Sequence, residues 1–138
     1  MDAPTGSVPA TRGRPSSRTS WSLRVVAALG VLVSAVVHLV LWADGYRDLE
    51  VTGALFLLNA VGGAVLGVLL VTWRHWLPLV GGIAFGAATL LAFVASGTIG
   101  FFEVSGHLMF GPDEIVAAVS EVVAVVASTW ALLREQAR

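Results

Sequence analysis

The sequence predicts an all-α integral membrane four-helix bundle, running up-down-up-down with both termini inside. Three observations carry that prediction. Hydrophobic residues make up 57% of the 138-residue chain and charged residues only 12%, about half the charged share of a soluble domain. The apolar residues gather in four runs, each near the ~20 residues needed to cross a ~30 Å hydrocarbon core. The eight basic residues are all Arg, and an N-in threading places Arg12, Arg14, Arg18, Arg24, Arg74, Arg134 and Arg138 on the cytoplasmic side against Arg47 alone outside.

Residues 1–20 are rich in Pro, Ser, Thr, Gly and Arg and hold no apolar periodicity that could offset the entropy of ordering them, so they read as a disordered cytoplasmic tail. The four-span domain covers 21–133. Its first helix runs from about 21 to 42 and is too long for the apolar core of a cleaved signal, which makes it a retained anchor. Arg24, within a turn of its start, is expected to snorkel back to the headgroups. A short turn, ADGYRDLE, leads to a second helix over about 51–73, with Asp48 or Thr52 as its cap. The link Arg74-His75-Trp76 precedes a third helix over about 77–102, with Pro78 in the first turn, where the missing N–H costs nothing. After the loop EVSGHLMFG, the run Gly111-Pro112-Asp113-Glu114 sets a sharp start for a fourth helix over about 112–133: Pro stands near the first position and two carboxylates lie at the positive end of the dipole. Residues 134–138 read as a cytoplasmic tail.

The aromatic residues agree with this threading: Trp21, Trp73, Trp76 and Trp130 fall at the inner interface, and Trp42, Tyr46, Phe101 and Phe102 at the outer one. Lipid tails are as apolar as Leu, so helices in a bilayer associate through small residues and polar contacts. Asn59, Gly63 and Gly67 recur every four residues on helix 2, and Gly82 and Gly86 do so on helix 3. Helix 4 offers Ala117, Glu121, Ala124 and Ser128; helix 1 offers Ser34 and His38. These stripes predict the bundle interior, with the Val, Leu and Ile positions between them facing lipid.

Composition excludes several kinds of chemistry. The chain has no Cys, so disulfides, thiolate metal sites and thiol nucleophiles are absent. Once the membrane-flanking arginines are set aside, no basic stripe remains for nucleic acid. No phosphate loop, dinucleotide fingerprint or nucleophile with an adjacent base is present. His107 stands alone in its loop without metal-ligand spacing, although it could join His38 with Glu103 or Glu114 in a two-His carboxylate set. A bis-His haem would need a second imidazole inside a span. Neither a metal nor another cofactor is expected.

The ionisable groups inside the spans are His38 and Glu121, with the amide of Asn59 beside them. Counted from the outer helix ends at ~1.5 Å per residue, they lie roughly 6, 13 and 12 Å deep, all in the outer half. A carboxylate at that depth costs several kcal/mol unless it is protonated, paired or wetted, so Glu121 is expected to face inward. Glu114, seven residues earlier on the same face, would connect it to the exterior. His38, Asn59, Glu114 and Glu121 thus form the candidate site for a ligand or proton.

The pattern His-Leu-x-Leu-Trp at 38–42, Gly-Tyr-Arg at 45–47 and Phe-Leu-Leu-Asn-Ala-x-Gly-Gly at 56–63 resembles that of small four-helix membrane proteins abundant in actinobacteria, a group with no assigned activity. The resemblance implies the same topology over the four spans and is specific across the first hairpin. Small multidrug transporters also have four spans and one membrane carboxylate, but theirs sits in the first helix, where this chain has none.

Two classes of function follow. The preferred one is a non-enzymatic structural or accessory component of the cell membrane, associating through its glycine-lined faces with another membrane protein or with copies of itself. The other is a small transporter or sensor with an outward-facing site around His38, Asn59, Glu114 and Glu121.

Overall fold

The computed structural model describes residues 17–98 and 111–137. Four helices account for nearly all of them: α1 (Ser17–Ala43), α2 (Glu50–Thr72), α3 (Leu77–Thr98) and α4 (Pro112–Gln136). Each is long and apolar enough to cross a membrane, and among the described residues there is no strand. The chain is therefore a small multi-pass membrane protein built as an all-α four-helix bundle. Arg12, Arg14, Phe101, Phe102, Glu103, His107 and Arg138 lie outside the described residues, as does the end of the third helix expected near 102.

Two expected boundaries move. The first helix begins at Ser17, inside the stretch read as tail, because Ser20 is already buried against the bundle at 5% exposure. The fourth continues to Gln136 rather than stopping near 133, because Glu135 has a partner inside the protein. The cap of α2 also differs. Leu49 holds the cap position and neither Asp48 nor Thr52 caps with its side chain; Asp48 belongs to a 3-10 turn, Tyr46–Asp48, that ends one residue earlier. Gly45 starts that turn at φ 137°, a backbone conformation open to glycine. Gly53 lets the turn settle on α2, since a Cβ there would meet the Tyr46 carbonyl and the Arg47 backbone.

The helices α1 and α4 form the central pair, with α2 packed on α1 and α3 packed on α4. Small residues set the spacing. A Cβ on Gly30 of α1 would stand 2.7 Å from Ser120 O and 2.9 Å from Ala124 N of α4, so the two backbones are nearly in contact. Gly63 faces Ala35 and Phe85, Gly67 faces Leu32, Gly82 faces Ser128, and Gly86 lies against the Glu121 carbonyl and Val125. All four of these glycines are buried. The core they surround is built chiefly from Ala27, Ala28, Val31, Leu70, Leu79, Ala124, Ala127 and Ala131. Large aliphatic side chains such as Leu29, Val36, Leu91 and Val119 point outward, as close packing without hydrophobic drive requires.

Both chain ends of the bundle and the α2–α3 link share one end, hereafter the terminal end; the α1–α2 turn and the start of α4 share the other, the turn end. Arg24 does not snorkel. It is 2% exposed, and its fork turns inward. Nε and Nη2 donate to the two Glu135 carboxylate oxygens at 2.7 and 2.8 Å. Nη1 donates to the Leu70 and Trp73 carbonyls at 3.4 and 3.3 Å, and Nη2 also to His75 O at 2.8 Å. All five guanidinium N–H groups are thus used. The last turn of α2 leaves carbonyls without intrahelical partners and carries the negative end of its dipole, so a cation placed there satisfies both at once. His75 then closes the link, accepting from Leu77 N at 3.2 Å through Nδ1 and stacking on Trp73 at 5.4 Å.

Candidate functional site

The helices α2 and α3 are consecutive in the chain, yet they touch mainly toward the terminal end, where Leu66 meets Gly81 and Phe85 meets Gly63. Toward the turn end they diverge. Between them opens a cleft of about 480 Å³, within the range of small-molecule sites. Leu55, Phe56, Leu58, Asn59 and Gly62 form the α2 wall, and Thr89, Ala92, Phe93, Ser96 and Gly97 the α3 wall. The back is supplied by the central pair, with His38 and Leu41 from α1 and Glu114, Ala117, Ala118 and Glu121 from α4. All four candidate residues, His38, Asn59, Glu114 and Glu121, therefore line one cavity.

Glu121 is 2% exposed. Ser34 Oγ donates to its Oε1 at 2.9 Å. Thr89 is the other side chain beside the carboxylate, with its hydroxyl also directed at the Phe85 and Gly86 carbonyls. His38 and Glu121 are joined through Ser34 rather than directly. His38 Nδ1 lies 2.9 Å from Ser34 O and 3.4 Å from Ser34 Oγ. A carbonyl can only accept, so Nδ1 carries a hydrogen, and in the neutral ring Nε2 keeps a free lone pair. Phe56 holds the imidazole edge-on, with centroids 5.1 Å apart and planes at 81°. Tyr46 leans on Phe56 at 4.8 Å, which ties the turn to the site. Asn59 buries its Oδ1 with no donor among the described residues.

Serine, histidine and a carboxylate meet here in an arrangement unlike a nucleophile with its base. The serine bridges the other two, its hydrogen goes to the carboxylate, and the ring nitrogen facing it already holds a hydrogen, so that nitrogen has no lone pair with which to take the hydroxyl proton. No three His, Asp or Glu side chains among the described residues come together to hold a metal. What the arrangement offers is an apolar cleft ending on hydrogen-bond acceptors.

Ser34 and Thr89 carry more of the site than the sequence reading gave them. Thr89 follows Gly82 and Gly86 at spacings of four and three on the inward stripe of α3, a signal present in the sequence. Comparison with protein-family models, curated proteins and solved structures finds no match for the chain. Fold and site together define a small multi-pass membrane protein with a polar-ended cleft between α2 and α3.

Proposed function

We propose that this chain binds a small amphipathic molecule in the α2–α3 cleft and acts as a membrane sensor or small transporter rather than as a purely structural component. The single observation supporting this reading is the cleft itself: consecutive helices stand apart where close packing was available, and the gap ends on a buried carboxylate. A satisfied packing network has no need of such a void. The reading is non-catalytic, since the site holds donors and acceptors but no activated nucleophile.

The arginine distribution favours N-in and C-in threading, with the turn end and its cleft on the outer side. Single cysteines at Asp44 and Arg74 report this in a chain that has none of its own: an impermeant maleimide labels the Asp44→Cys variant on intact cells and the Arg74→Cys variant only after permeabilisation. The reverse pattern inverts the topology.

Gly62 gives a test of binding. It lines the cleft, and a Cβ there meets nothing within 4 Å, so Gly62→Leu brings a bulky side chain to the cleft wall at a position where its Cβ finds open space. In a thermal-stability screen, compounds that raise the melting temperature of the wild type by mass action are expected to lose that effect in Gly62→Leu. Should every hit stabilise both proteins alike, the accessory role expected from the sequence takes the place of this reading.

A further inference from the structure

Two carboxylates of this fold, the buried Glu121 and the half-buried Glu135, stand in opposite electrostatic situations. At the terminal end, Glu135 meets Arg24 at 2.7 Å, so its charge is matched within the chain. In the cleft, Glu121 is the more deeply buried of the two, and the hydrogen bond it receives comes from the neutral Ser34 hydroxyl. Among the described residues, the charged or titratable groups facing the cleft are Glu114, Glu121, His38 and Tyr46, and none of them is an Arg. The nearest Arg on the turn, Arg47, is exposed and paired with Asp48 at 3.8 Å. An ionised carboxylate withdrawn from water without a cation costs several kcal/mol, so Glu121 either holds a proton or gains from a positive charge that a ligand brings into the cleft. Asn59, whose buried Oδ1 has no donor among the described residues, and His38 line the same cavity.

We infer that the occupant of the cleft is an organic cation, a protonated amine carried on an apolar body. Its ammonium sits at Glu121 and Asn59, and its apolar part lies between Leu55, Phe56 and Phe93. The acceptors at the end of the cleft select an N–H donor, and the hydrocarbon walls disfavour a bare metal ion. An anionic or acceptor-only molecule meets like charge there. This inference rests on the cleft being a ligand site, and it names the class of ligand.

Three probes sharing one ring system separate the possibilities: 2-(1-naphthyl)ethylamine, its neutral N-acetyl derivative and the anion 1-naphthylacetate. Thermal shifts are measured in lipid nanodiscs on the wild type, Glu121→Gln and Gly62→Leu. The amine is expected to stabilise the wild type, to bind at least tenfold more weakly to Glu121→Gln, and to have no effect on Gly62→Leu; the other two probes are expected to stabilise weakly or not at all. If the neutral or anionic probe stabilises the wild type as well as the amine does, and Gly62→Leu removes that effect, the cation assignment is overturned while the cleft stays a ligand site. If no probe gives a shift that Gly62→Leu removes, both readings fall. Should Glu121→Gln not fold, the ranking of the three probes on the wild type and Gly62→Leu decides between these outcomes by itself.

Discussion

Replacing Arg24 by Ala is expected to destabilise the bundle by about 3 kcal/mol, the lower edge of what removing one partner of a buried ion pair costs. The lower edge applies because the Glu135 side chain is 25% exposed and water can reach it. The substitution leaves Glu135 without its cation and returns the Leu70, Trp73 and His75 carbonyls to an unpartnered state. Equilibrium unfolding in a mild detergent measures the loss. Arg24→Lys is expected to recover little of it, because an ammonium has three donors and no planar fork to span a carboxylate and a helix end together. Glu135→Gln tests the same contact from the other side and should cost less, since an amide oxygen still accepts from the guanidinium.

The second large effect is expected at Gly30. In Gly30→Leu the new side chain meets the backbone of Ser120 and Ala124 rather than the end of a flexible side chain, so α1 and α4 must separate along the seam that holds the bundle together. Overpacking in a well-packed core costs about 1–3 kcal/mol, and a clash with backbone belongs at or above the top of that range. Even Gly30→Ala should be destabilising. Gly62→Ala, on the open wall of the cleft, should stay within about 1 kcal/mol of wild type and gain helix propensity. The same substitution at two helical glycines thus separates a packing glycine from one that faces empty space, with thermal unfolding as the readout.

The spans and much of the packing were legible in the sequence, because both depend on local chemistry. Hydropathy and length mark the helices, and the four-residue recurrence of Gly63 with Gly67 and of Gly82 with Gly86 marks inward faces. The start of α4 at Pro112 follows from the residues around it. Partnerships across the chain were not legible. Arg24 and Glu135 are 111 residues apart; Arg24 stands about two turns into α1 and Glu135 one residue from the end of α4, and near a helix end snorkelling and pairing look identical in sequence. The bridging role of Ser34 was hidden for a related reason. Its spacing from His38 is readable, but the arrival of Glu121 at its hydroxyl depends on the close approach of α1 and α4 at Gly30. The separation of α2 from α3 was the least accessible feature. A short link between two helices predicts that they pack side by side, and here α1 and α4 fill the middle and keep them apart.

The cleft is the central claim, and bifunctional thiol cross-linking tests it most directly. In membranes, a short bis-methanethiosulfonate reagent is expected to join cysteines placed at Leu66 and Gly81, where α2 and α3 meet. It should fail to join cysteines at Leu55 and Ser96, which stand on opposite walls toward the turn end. Equal cross-linking of both pairs would mean that the two helices pack along their whole length, and the site between them would not exist.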